Sequence, residues 1–384
     1  MGRFSITVAF SLMILIAFTF MMLAGTLIAA DKETLEGEFK VKPGQTLEVD
    51  FECGGSLELV AWDKKVVAIK ARIRGGDPQD FKIRMGKIPG GVRFTASQDG
   101  LFRNHPGHVD VIVKVPEKFN LDFNSMGGDL DITGVQGEFI GETMGGDITL
   151  TKVKGEASLR TMGGDIIVRE SHLDGKVHTM GGDVTFKDVS GGIDGSTMGG
   201  DVSYSNRVAG GQTENEVKIS SMGGDIMVDE APAGVRVRTM GGDIHIRSAG
   251  DHVKASTMGG DIAIDEVSGW VKASTMGGDV EVTITGDGVD GQQDVNLESK
   301  GGDIILRVPA DLSMDIEIRL GYSNKYRDRY TIQSDFPLDL EESEEWKLFG
   351  FEKRKTLIGR GKTGDGRNKI IIETINGNVH LIKS

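Results

Sequence analysis

The 384-residue chain has a single cysteine, Cys53, so no internal disulfide can form and stability has to come from packing. Cys53 itself reads as a small buried residue of a strand in "VDFECGGSLEL". Positive charge is scarce: 44 Lys and Arg face 58 Asp and Glu, a net charge of −14 at pH 7. That balance argues against nucleic acid as a partner and against simple adhesion to anionic lipid, because both need basic surface. Beyond the N-terminal segment, no run is apolar enough to span a bilayer. Phosphate-cradling and zinc motifs are missing, and no nucleophile stands beside a base, so nothing points to an enzyme. "HPGH", His105 to His108, reads as a polar loop rather than half of a metal site. The 56 glycines lack the three-residue period of collagen and come in pairs at fixed places, as turns do.

Residues 1–30 hold one Arg, an apolar run from Phe4 to Leu23, and small residues ending at Ala29 and Ala30. This is the pattern of an export signal cleaved near Ala30. The run is also long enough to serve as an uncleaved N-terminal anchor. Lipidation is disfavoured, since Thr26 stands where "LAGT" would need a lipid-bearing Cys. The expected location is outside the cytoplasm, in the periplasm, at the cell surface or beyond it, with membrane contact only through this segment if it is retained.

What the chain has in abundance is one phrase, Thr-Met-Gly-Gly-Asp. Its Met falls at Met126, Met144, Met162, Met180, Met198, Met222, Met240, Met258 and Met276, and Lys300 replaces it in a tenth copy. The intervals are four of 18, one of 24, three of 18 and one of 24. So regular a period is the signature of a solenoid, whose units bury their apolar faces only by stacking on one another.

Within each unit, the first and third residues after Asp are apolar: Ile148 and Leu150, Ile166 and Val168, Ile244 and Ile246. Alternation of this kind is a β-strand with one buried face. About half a unit later comes a second alternating pair, such as Val235 and Val237. Two strands with no room for a crossover helix stack as parallel coils. The predicted fold is all-β: a parallel β-helix or flattened β-solenoid of 18-residue coils, right-handed as crossovers in parallel sheets usually are. Small residues on the second strand (Ala157, Gly175, Gly195, Ala255, Ala273) predict a thin interior.

The two longer units place their extra residues at 205–215 and 285–294, on one edge of the rod, where function or mere tolerance could explain them. The expected organisation is a signal or anchor at 1–30, a β-rich N-terminal cap at 31–120, the repeat solenoid at 121–308, and C-terminal coils and cap at 309–384. A charged insertion at 322–366 interrupts the last segment. In "NKIIIETINGNVHLIKS", Ile375 falls in the Met column and Asn378 in the Asp column.

Stacking aligns Asp129, Asp147, Asp165, Asp183, Asp201, Asp225, Asp243, Asp261, Asp279 and Asp303. At a strand spacing of about 4.8 Å, neighbouring carboxylates repel by roughly 0.9 kcal/mol in water and about 3.5 kcal/mol at an effective dielectric of 20. Two arrangements offset this. Either each carboxylate accepts N–H bonds from its own Gly-Gly turn, or calcium ions sit between coils, making the ten Asp a metal ladder. The first is favoured, because each coil has one acidic turn and calcium-binding β-rolls have two. The Met column is expected in the core by its hydrophobicity, although strand parity turns Thr143, Thr161, Thr179, Thr197, Thr239, Thr257 and Thr275 inward instead.

The repeated "GGDI", the phrase "VKVPEKFNLDFNSMGGDLDITGVQGEF" and the ending "IIIETINGNVHLIKS" resemble the bacterial putative-adhesin family of β-strand-repeat envelope proteins. The resemblance implies an exported β-helix at the cell envelope, sometimes linked to envelope stress, and transfers no catalytic residue. The functional expectation is non-catalytic binding or scaffolding at the envelope, with no catalytic or cofactor-binding residue and an envelope component, polysaccharide or peptide as partner. The alternatives are capture of cationic or amphipathic peptides and a polysaccharide-degrading β-helix.

Overall fold

In a computed structural model, residues 27–28, 33–98, 107–206, 215–286, 293–326, 329–344, 346–349 and 352–384 are described. The alternation read from the sequence becomes two stacks of parallel strands. Ile148–Thr151 pairs in register with Leu130–Thr133 on one side and with Ile166–Arg169 on the other. Each step along the stack is one 18-residue repeat. The second stack runs likewise, from Val217–Ser220 to Val235–Arg238 to His252–Ser256. Between the stacks lies a continuous core in which Ile148, Leu150, Ile166, Val168, Ile244 and Ile246 are almost wholly buried. The chain is thus an all-β solenoid.

Small residues on the second strand make room for larger ones opposite. A side chain at Gly195 would collide with the Phe186 ring, which occupies that space. Gly175 departs from the expectation: it is exposed, with φ 113°, and Leu173 points inward instead.

Coils extend beyond the recognisable motif. Thr46–Phe51 pairs with Asn120–Ser125 and Gly54–Trp62 with Leu130–Thr133, so residues 46–62 form a coil ahead of the first Gly-Gly-Asp. Strands Thr34–Lys40, Val66–Arg74 and His108–Pro116 pair antiparallel beside it. At the other end, Asn368–Ile375 and Val379–Lys383 stack on the strands beginning at Val295 and Ile304. Beyond them, Met314–Ser323 pairs antiparallel with Glu352–Lys362, which covers the parallel edge. Within residues 1–30, Leu27 and Ile28 pair with Met85 and Arg84, and the rest lies outside the described residues.

Candidate functional site

The repeated turn is held by its threonine. Thr161 is fully buried, and its hydroxyl donates to the carbonyl of Gly146 in the preceding coil at 2.8 Å. The same oxygen accepts the N–H of Gly164 in its own turn at 3.2 Å. Thr179, Thr197, Thr239, Thr257 and Thr275 repeat both bonds, and Ser221 and Ser299 do so where Ser replaces Thr. Each hydroxyl therefore closes its own turn and ties it to the one before. The second glycine of the pair is required by proximity: a Cβ on Gly164 would lie 2.2 Å from the Gly146 carbonyl oxygen. The first glycine, Gly163, has nothing nearer than 3.8 Å.

With Thr inward, Met faces out, and the expectation of a methionine core is wrong. Met126, Met144, Met162, Met198, Met222, Met240, Met258 and Met276 are 40 to 54% exposed. The reason is energetic as well as geometric. Two backbone groups at each turn need a buried partner, which a hydroxyl supplies and a thioether does not. Met180 is half-buried, and its sulfur receives the Arg160 guanidinium at 3.5 Å.

The Asp column forms as expected, but its bonds run between coils rather than within a turn. The N–H of Asp147 donates to Asp129 Oδ1 at 3.0 Å, that of Asp165 to Asp147 at 2.8 Å, and that of Asp183 to Asp165 at 2.8 Å. The chain of bonds continues through Asp201, Asp225, Asp243, Asp261, Asp279 and Asp303 to Asn378, which stands in the Asp column. The carboxylates from Asp129 to Asp279 are exposed, so their repulsion lies near the aqueous end of the range, and each gains a charge-assisted bond. Among the described residues no group of three or more His, Cys, Asp or Glu is placed to hold a metal ion.

Of "HPGH", His105 lies outside the described residues, and His108 stands 3.7 Å from Asp110, which also accepts Ser56 and Arg74. Most of the loops 205–215 and 285–294 likewise lies outside the described residues. Cys53 is buried against the Ala96 carbonyl, and burial pushes its thiol up to about 11.

One cluster escaped the sequence reading. His252 stacks on Trp270 with ring centres 4.8 Å apart and planes 9° apart. Its two nitrogens meet Asp251 at 2.9 Å and Glu216 at 2.8 Å, and Glu216 also takes Arg236 at 3.2 Å. Burial disfavours the imidazolium, but the two carboxylates outweigh it and hold the His252 pKa above its ordinary value. The signal was present: His252 and Trp270 are one repeat apart and so must be neighbours on adjacent coils.

Residues 79–258, a little under half of the chain, match the family model described as Toastrack DUF4097. No curated protein matches the sequence. Among crystal structures, a putative cell adhesion protein from Clostridium sporogenes ATCC 15579 is similar at 9% identity, over 91% of this chain and 100% of its own, with a TM-score of 0.18. A putative adhesin from Parabacteroides distasonis ATCC 8503 is similar at 13% identity, over 72% of this chain and 97% of its own, with a TM-score of 0.30. Another from Bacteroides fragilis NCTC 9343 is similar at 10% identity, over 92% and 98%, with a TM-score of 0.25. Likeness at these scores carries no residue correspondence. The stretch from residue 79 to residue 258, with its stacked Gly-Gly-Asp turns, is thus similar to the Toastrack DUF4097 family.

Proposed function

We propose that the protein is a non-catalytic exported rod that binds a partner at the cell envelope through the edge formed by its Met and Asp columns. The observation that carries this reading is the exposure of the Met column beside a row of exposed carboxylates three residues further on. One buried apolar column varies widely in size, with Val168, Phe186, Tyr204 and Val228 in register, whereas the exposed column keeps Met in nine coils. An exposed site does not need an apolar residue for folding, so the repeated thioether points to contact with another molecule. A cationic amphipathic peptide satisfies both rows, its apolar face on the sulfurs and its Lys or Arg on the free carboxylate oxygens. The export pattern at 1–30 supports a role outside the cytoplasm. The polysaccharide-degrading alternative rests on analogy of fold alone.

The test is a titration of residues 31–384 with a fluorescent Lys- and Leu-rich amphipathic peptide and with its analogue in which Ser replaces every Lys. The charged peptide binds more tightly by about ten-fold or more, and replacing Met222, Met240, Met258 and Met276 together by Ser removes that binding without lowering Tm. Equal binding of the neutral analogue, or no effect of the four substitutions, rejects the reading.

A further inference from the structure

The excess of acid conceals one basic face. On the outer side of the second strand stack, Lys218 lies in register with Arg236, Arg236 with Lys254, and Lys254 with Lys272. All four are exposed and follow one another at about one strand spacing of 4.8 Å. Only Arg236 is drawn into an ion pair, with Glu216; Lys218, Lys254 and Lys272 have none among the described residues. The adjoining column reads Ser220, Arg238, Ser256 and Ser274, a row of hydroxyls with one further cation. Acidic residues bound the patch, Asp194 before Lys218 and Glu298 after Ser274.

The cation row runs into a cleft of about 400 Å³ lined by Trp270, Lys272, Asp294, Asn296, Lys369 and Ile371. His252 belongs to the coil before Trp270, whereas Asp294, Asn296, Lys369 and Ile371 come from the coils after it. The indole is therefore backed on one face by the imidazole and bordered on the other by the cleft. A ring held in this way is a rigid platform, and the groups around it supply two ammoniums, an amide and a carboxylate.

We propose that this face binds an anionic polysaccharide, a uronate-bearing chain lying along the rod axis over Lys218, Arg236, Lys254 and Lys272, with one sugar ring seated on Trp270. The repeat of the cations, one per coil, suits a polymer with sparse, regularly spaced carboxylates. The serine row offers partners to sugar hydroxyls, and an indole face suits the apolar face of a pyranose. A polyphosphate chain fits less well, because its dense charge meets the field of a protein at −14 and the patch has one aromatic where single strands use several. The site lies away from the Met and Asp edge and does not depend on that edge binding anything.

Oligogalacturonate, a neutral maltooligosaccharide and a single-stranded oligonucleotide would be titrated into the full mature chain by calorimetry at two salt concentrations. Oligogalacturonate binds, weakens as salt rises, and loses about ten-fold or more in affinity in Lys254→Gln/Lys272→Gln and in Trp270→Leu, while the neutral sugar binds at least ten-fold more weakly. Circular dichroism and Tm establish that both variants fold; if Trp270→Leu does not, the lysine pair decides. Absence of oligogalacturonate binding at millimolar concentration, indifference to the lysine pair, or tighter binding of the oligonucleotide overturns the proposal. Substituting the exposed methionines leaves oligogalacturonate affinity unchanged, which separates this site from the peptide edge.

Discussion

The Oδ1 of Asp165 accepts the backbone N–H of Asp183 at 2.8 Å, so two residues whose side chains repel each other are joined through the backbone of one of them. The ladder requires an acceptor at that position and does not require a charge. Asp165→Asn, which keeps the amide oxygen, should leave stability within about 0.5 kcal/mol, while Asp165→Ala should cost roughly 1 kcal/mol by chemical denaturation. Millimolar calcium added after chelation should leave Tm unchanged. A rise of several degrees would instead assign the second carboxylate oxygens to a metal.

The two glycines of one turn should behave differently. Gly164→Ala forces its Cβ into the Gly146 carbonyl and should lower stability by at least about 2 kcal/mol, whereas Gly163→Ala should be tolerated. Thr161→Val keeps the shape but leaves the Gly146 carbonyl and the Gly164 N–H unpaired, for roughly 2 kcal/mol, and Thr161→Ser should be mild. Hydrogen exchange at the flanking strands would localise each loss to one pair of coils. Equal tolerance of both alanines would sink the close-contact account.

Methionine oxidation reports which way the column faces. Mild peroxide should convert Met162, Met222, Met258 and Met276 to sulfoxides well before Met85 and Met314, which are 2% and 0% exposed. Peptide mapping by mass spectrometry at successive times gives the order directly. Simultaneous oxidation of all of them would mean that the Met column is no more open to solvent than the core.

The stacked His252 and Trp270 give a pH readout. Glu216 and Asp251 face the imidazole, Arg236 shares Glu216, and the folded pKa is raised above its unfolded value near 6.5. Its contribution to stability is therefore fully present below about pH 6.5 and is lost as pH rises through the folded pKa. An imidazolium against an indole quenches it, so in a Trp62→Phe/Trp346→Phe background emission should climb over that same rise in pH. Glu216→Gln should move the climb to lower pH. An emission curve that is flat from pH 5 to 9 would show that the two rings do not stack in solution.

The period and the alternation in "DITL" or "DIHI" sufficed to place the strands, their faces and the Asp register, because each is a local pattern repeated along the chain. The turn was harder. Parity pointed Thr161 inward and hydrophobicity pointed Met162 inward, and the deciding fact, two backbone groups of adjacent coils awaiting one hydroxyl, exists only after stacking. The basic face was open to the same arithmetic that found the Asp column, since 218, 236, 254 and 272 are 18 apart. A net charge of −14 averaged it away. The excursion between Leu312 and Asn368 had no period to follow, and its antiparallel pairing with the end of the rod is a tertiary choice.

Because every turn offers the next one the same hydroxyl, the same carbonyl and the same carboxylate oxygen, the turn edge of the rod holds no record of position. Removing residues 166–183 would set Val184 where Ile166 had been, against Ile148, with each of those three atoms meeting an equivalent partner. Length is thus a quantity the turn edge lets this chain change in whole coils, with Phe186 then repacking against Leu150 in place of Val168. What stops the count is the strand Met314–Ser323 and its antiparallel neighbour, which present the last coil with a surface that no further repeat could copy.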